Sequence, residues 1–209
     1  MIKAEAKVIG TIKRSATVCT DKNGNPYLSF IMTVVLPDTK TGTKSIDVFV
    51  SLPNVQQEEA QSYVEGIRIA VSGSMDIRKR NEELCFYMTS NSVETQNVSE
   101  PDSISGTMTF RGYLKKDNLY EQKTDKNGHP FIVFSAYSIE KIGEKFISTW
   151  VNFMRFPERG CGIETIVPDW LHAKAHVDIM GELQVSVYNG NIRLSCRVKD
   201  MSEHVFVQH

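Results

Sequence analysis

Two sets of residues in this 209-residue chain could do chemistry, and only one is arranged for it. The acids, histidines and cysteines are not. Glu58-Glu59 and Glu82-Glu83 are sequence neighbours on exposed stretches, not carboxylates converging on a cleft. His129, His172, His176, His204 and His209 show no metal spacing. His172 and His176 run into a strand, where residues four apart share a face but lie about 13 Å from one another. Cys19, Cys85, Cys161 and Cys196 form no Cys-x-x-Cys pair, so buried thiols are expected rather than zinc or disulfides. Gly160-Cys161-Gly162 is too short for a phosphate loop, and Cys161 has no basic partner to activate it. No catalytic residue, metal or cofactor is expected, and the chain is not read as an enzyme.

The second set is aromatic and basic. Tyr27, Phe49, Phe131, Tyr137, Trp150 and Phe156 fall on the outward parity of alternating segments, and Tyr87 lies on a later one. Exposed rings stack on flat ligands, a contact worth about 1–3 kcal/mol per nucleobase, while lysine and arginine follow phosphates. Basic residues occupy matched places: Lys13-Arg14 and Lys115-Lys116 in equivalent first strands, Arg78-Lys79-Arg80 near a strand link, and Arg155, Arg193 and Arg197 in the second half. Phe30, Phe134 and Phe153 have inward parity and read as core.

The elements that must carry these residues occur twice. Thr20-Asp21-Lys22-Asn23-Gly24-Asn25-Pro26-Tyr27-Leu28-Ser29-Phe30 returns 104 residues later as Thr124-Asp125-Lys126-Asn127-Gly128-His129-Pro130-Phe131-Ile132-Val133-Phe134, with seven of eleven positions identical. Each copy reads as a polar turn with a glycine tolerant of positive φ, feeding a strand. The chain is a tandem duplication of one β domain.

In the first half, a segment from Lys7 holds Gly10 where another backbone would pass close. Strands follow over Tyr27–Val35 (Leu28, Phe30, Met32 and Val34 inward) and Ser45–Ser51 (Ile46, Val48 and Val50 inward). A short helix is expected over Gln56–Glu65, then strands over Ile67–Ile77 and Leu84–Met88. Five strands with a small helix between the third and fourth is the order of an OB-fold, a five-stranded partly open Greek-key barrel. Polar, aperiodic Glu94–Ser105 marks the boundary, giving domains 1–98 and 106–209 with a linker at 99–105. The second half repeats the order, with two extra residues before its turn, a weaker helix at Glu164–Leu171 that contains Pro168, and a Tyr188-Asn189-Gly190-Asn191 hairpin before the last strand. The fold class expected is all-β, two tandem OB-folds.

Composition bounds the function. Hydrophobic residues make up 41% and charged residues 23%, as in ordinary soluble globular proteins. With no signal-like N-terminus and no apolar run of about 20 residues, a cytoplasmic protein is expected. The net charge of −1 excludes a simple polybasic binder, and neither half is basic.

Particular motifs carry a resemblance. Ile9-Gly10-Thr11-Ile12-Lys13-Arg14 followed by the Thr20–Gly24 turn, then Thr149-Trp150-Val151-Asn152-Phe153-Met154-Arg155-Phe156, Val71-Ser72-Gly73-Ser74-Met75 and Ile179-Met180-Gly181-Glu182-Leu183, resemble the successive strands of bacterial single-stranded DNA-binding proteins. The resemblance spans both halves. It implies sequence-tolerant binding and protection of single-stranded DNA in replication, recombination or repair, with Trp150 and a later phenylalanine stacking on bases. It also implies a homodimer, because the family generally assembles four OB-folds.

Two departures stand out. Asp47 occupies the first-half position of Trp150, and Ser202–His209 lacks the family's acidic tail, so recruitment of partner enzymes through such a tail is not expected. The residues alone leave open an RNA ligand, or a tandem-OB scaffold for a protein or oligosaccharide partner.

Overall fold

The computed structural model describes residues 1–209 apart from positions 39, 41, 55, 56, 97, 118 and 206–209. Parts of the expected turn after Pro37, the start of the expected helix at Gln56 and the end of the chain lie outside the described residues. The chain divides into two compact units. One holds residues 3–106 and 185–193, the other residues 1–2, 107–184 and 194–209. They are called the first and second barrel below.

The first barrel is built from β1 (Ile2–Thr20), β2 (Pro26–Asp38), β3 (Gly42–Pro53), β4 (Arg68–Arg80) and β5 (Glu83–Glu94). Its order is β2-β3-β5-β4-β1, and β1 returns to pair with β2, closing the sheet. β3 and β5 are parallel, and β1 is antiparallel to both β4 and β2. This is the OB-fold. Closure depends on β1 changing partner midway: Lys3–Thr11 pairs with β4 and Thr11–Thr20 with β2, with register shifts around Arg14. Bulges bend a strand in this way. Gly10 sits at the changeover, where a Cβ would collide with the Thr33 carbonyl oxygen.

Alternation decides which residues fill the barrel. Leu28, Phe30, Met32 and Val34 of β2 and Ile46, Val48 and Val50 of β3 are buried, as their parity requires. Each such side chain contributes about 1.5–3 kcal/mol. The expected α-helix is instead a short 3₁₀ helix, Gln57–Ser62. Tyr63 N donates back to Ala60 O, and the residues just past the helix are tied to β1: Ala16 N donates to Tyr63 O and Gly66 N to Ile12 O. Tyr63 lies flat against Phe30, with centroids 5.6 Å apart, and covers the core from that side.

The second barrel contains β6 (Ser103–Leu114), β7 (Glu121–Thr124), β8 (Pro130–Ile142), β9 (Lys145–Arg155), β10 (His176–Tyr188) and β11 (Asn191–Glu203). Its order is β6-β10-β11-β9-β8-β7, and β6 also returns to β8. β7 was not expected. Together β6 and β7 do the work of β1, interrupted where the second copy has its extra residues. Both pieces pair with β8, through Tyr113–Tyr137 and through Gln122–Ile132. Gly112 abuts the Tyr137 carbonyl as Gly10 abuts that of Thr33.

Phe153 anchors the core between Phe110 and Phe134 at 5.0 and 5.1 Å. The expected Glu164–Leu171 helix shrinks to a 3₁₀ turn, Ile163–Thr165. Pro168 offers no N–H to continue it, and its carbonyl instead accepts from Leu171 N.

Residues between β5 and β6 are held by Asp102, whose carboxylate pairs with Arg68 at 2.6 Å and accepts from Val35 N at 2.7 Å. Ser103, Ile104 and Ser105 already stand in β6. The cysteine expectation needs correction. All four are free, but only Cys196 is buried, and burial pushes its thiol up to about 12. Cys19 and Cys85 are half-buried on or beside strand faces, and Cys161 is exposed in a loop.

Candidate nucleic-acid interface

The repeated turn is organised by its aspartate. In the first copy Asp21 Oδ1 accepts from the backbone N–H of Asn23 and Asn25, both at 2.8 Å. In the second, Asp125 Oδ1 accepts from Asn127 and His129 at the same distances. These hydrogen bonds hold both carboxyls below their ordinary range, with the bond from Asn25 or His129 the largest cause. Gly24 and Gly128 close the turns at φ 86° and 84°. Sequence reasoning found the glycine but missed the acceptor. Each turn delivers one aromatic, Tyr27 or Phe131, to the outer face of the strand that follows.

On the second barrel the outer face of β8 and β9 carries paired side chains in rows. Tyr137 and Trp150 are cross-strand partners with ring centroids 4.8 Å apart. Trp150 is 53% exposed, on a strand whose next residue, Val151, is fully buried. At the other end of the face, Phe131 and Phe156 stack at 4.7 Å with 16° between ring planes. Arg197 from β11 lies over Phe156, 4.8 Å from its centroid. Between the two aromatic rows Ser135 Oγ donates to Asn152 Oδ1 at 2.9 Å. Six residues along β8 separate the rows, about 20 Å at roughly 3.3 Å per residue.

Two ring contacts continue from Tyr137 that the sequence reading did not include. Tyr113 lies 6.0 Å from Tyr137, and the His176 ring stacks on Tyr113 at 4.5 Å. The available signal was Tyr113's position directly after the close-approach glycine, Gly112. Burial, then the neighbouring His204, lowers the His176 pKa.

The first barrel arranges the same face differently. Phe49 and Tyr87, register neighbours on β3 and β5, stack at 5.3 Å and are 37% and 38% exposed. Burial, then Cys85, raises the Tyr87 hydroxyl pKa. Tyr27 is half-buried, opposite Pro53. Where the second barrel holds Tyr137 and Trp150, the first pairs Thr33 with Asp47, and Lys13 Nζ reaches both Asp47 oxygens at 3.0 and 2.6 Å.

The remaining basic candidates divide. Arg14 and Lys116 are exposed and Lys115 is half-buried. Arg78 pairs with Asp76 at 3.2 Å and Lys79 with Glu82 at 2.6 Å, while Arg80 donates to the Lys79 carbonyl at 2.8 Å. Arg193 lies over Tyr188, which is not one of the candidate aromatics, at 4.1 Å. Arg155 shares the inward parity of Phe153 and donates to Ile166 O at 3.0 Å, with burial lowering its pKa. Of the predicted arginines, Arg197 joins an aromatic row. Among the described residues, no group of three His, Cys, Asp or Glu side chains could hold a metal ion, and no helix is long and apolar enough to cross a membrane.

The face is therefore a surface of paired rings and scattered cations on tandem OB-folds. No family model and no curated protein matches the chain. Among solved structures it is similar to the wild-type single-stranded DNA-binding protein of Thermus aquaticus, with TM-score 0.45 and 12% identity over 100% of this chain and 95% of that one. The small single-stranded DNA-binding protein of Streptomyces coelicolor matches with TM-score 0.37 and 15% identity, over 45% of this chain and 93% of its own. A mitochondrial single-stranded DNA-binding protein of S. cerevisiae matches with TM-score 0.36 and 18% identity, over 46% and 91%.

Proposed function

We propose that this protein binds single-stranded DNA without sequence preference, by stacking bases on aromatic side chains while arginine and lysine contact phosphates. The observation that carries the reading is the Tyr137–Trp150 pair, its indole exposed on a strand face that also carries the Phe131–Phe156–Arg197 stack. Rings left in water on adjacent strands cost free energy unless a flat partner covers them. An unpaired strand supplies such partners with a phosphate for each base. The proposed role is to coat and protect exposed strands in replication, recombination or repair, without catalysis, as a homodimer that brings four OB-folds together.

Titration with oligo-dT at low and moderate salt tests this, with tryptophan fluorescence as the readout. Binding with quenching is expected, weakening steeply as salt rises because neutralised phosphates release counterions. Trp150→Ala should lower affinity about 10-fold, in line with roughly 1–3 kcal/mol per stacked base, and leave the circular dichroism unchanged. No binding at low salt would refute the proposal. Tighter binding of oligo-U than of oligo-dT would redirect it to RNA.

A further inference from the structure

Resting on that reading, we infer that the two barrels are unequal: the first barrel's strand face is closed by its own ion pair, and Asp47 is the residue that sets this. Gly10 lies against the Thr33 carbonyl and Gly112 against that of Tyr137, so Thr33 and Tyr137 are structural equivalents. Their cross-strand partners are Asp47 and Trp150. At one site the second barrel offers an exposed indole beside a phenol. At the corresponding site the first offers a carboxylate held by Lys13 at 2.6 Å.

This exchange removes two contributions to strand binding together. The stacking platform is gone, and the nearby cation is neutralised before any phosphate arrives. The surroundings repeat the pattern. A cleft of about 440 Å³ beside Phe49 is also lined by Asp47, Glu82 and Glu83. Lys44 at its edge donates to the Gly190 carbonyl at 2.7 Å, and Lys79 is engaged by Glu82. A phosphate entering here meets carboxylates and cations already in use. The Phe49–Tyr87 pair remains as a lesser platform.

Asp47→Asn keeps size and releases Lys13. In the full chain at low salt it should tighten oligo-dT binding about 3- to 10-fold. It should also steepen the log–log salt dependence by about 0.7, the value for one added phosphate contact on a single strand. Phe49→Ala should cost less than about 3-fold where Trp150→Ala costs about 10-fold. Unchanged or weaker binding by Asp47→Asn with an unchanged salt slope would overturn the inference, as would a Phe49→Ala loss equal to that of Trp150→Ala. If the parent protein bound no strand at all, the function proposed above would fall and this inference with it. The two failures are therefore told apart by the parent titration.

Discussion

At the residue scale, a single carboxylate shapes each repeated turn. Because Asp21 and Asp125 hold their charge through backbone hydrogen bonds, the stability they supply is present above the unfolded carboxylate pKa of about 3.9 and is lost as pH falls through the lower folded value. Asp125→Ala should lower the melting temperature by a few degrees at pH 7, and the gap from the parent should close below about pH 4. His176 behaves oppositely in charge. It packs against His204, near Asp178, Arg111 and the N-terminal amine, and its lowered pKa favours the neutral ring. Its contribution is therefore intact above the unfolded value of about 6.5 and is lost as pH falls from there through the folded pKa. His176→Gln should flatten the decline in melting temperature below pH 6.5, and an unchanged profile would reject that role. The outward rings were legible from parity alone. Tyr113 and His176 were not, because their neighbours come from strands that the sequence does not show to be adjacent.

At the scale of the element, close-approach glycines decide whether a barrel shuts. Gly112 is packed against the Tyr137 carbonyl and the Phe110 ring, so Gly112→Ala must push β6 from β8. A loss of about 1–3 kcal/mol in denaturant unfolding is expected, typical of overpacking, whereas a neutral effect would mean that β6 closes the barrel by other contacts. Strand identity and facing were readable wherever alternation persisted, as from Leu28 to Val34. The helices were not, because short segments settle their backbone hydrogen bonds with whatever lies beside them. Tyr63 and Gly66, just past Gln57–Ser62, bond to β1, and the segment before them is 3₁₀. The split of one long strand into β6 and β7 was signalled only by an insertion, whose structural effect depends on where β8 runs.

At the scale of the molecule, duplication accounts for the fold and divergence for the site. The repeated turn and the matched glycines made two OB-folds evident from sequence, because closure of each barrel imposes the same demands. No comparable demand acts on outward positions, so one copy keeps Trp150 where the other has Asp47. The near-zero net charge fits this arrangement, in which many cations are spent on internal pairs and a few remain beside rings.

A compact unit here is not a contiguous stretch of chain. The tip of the β10–β11 hairpin belongs with the first barrel, where Asn189 N and Gly190 N donate to the buried carboxylate of Asp38 at 3.0 and 2.6 Å. A fragment ending near residue 106 would therefore leave that acid without two of its donors, at the usual cost of a buried charge short of partners. A dissection that follows the gene's two repeats would cut through what the folded protein treats as one piece. The unit of inheritance and the unit of folding differ twice: residues 185–193 go with the first barrel and residues 1–2 with the second.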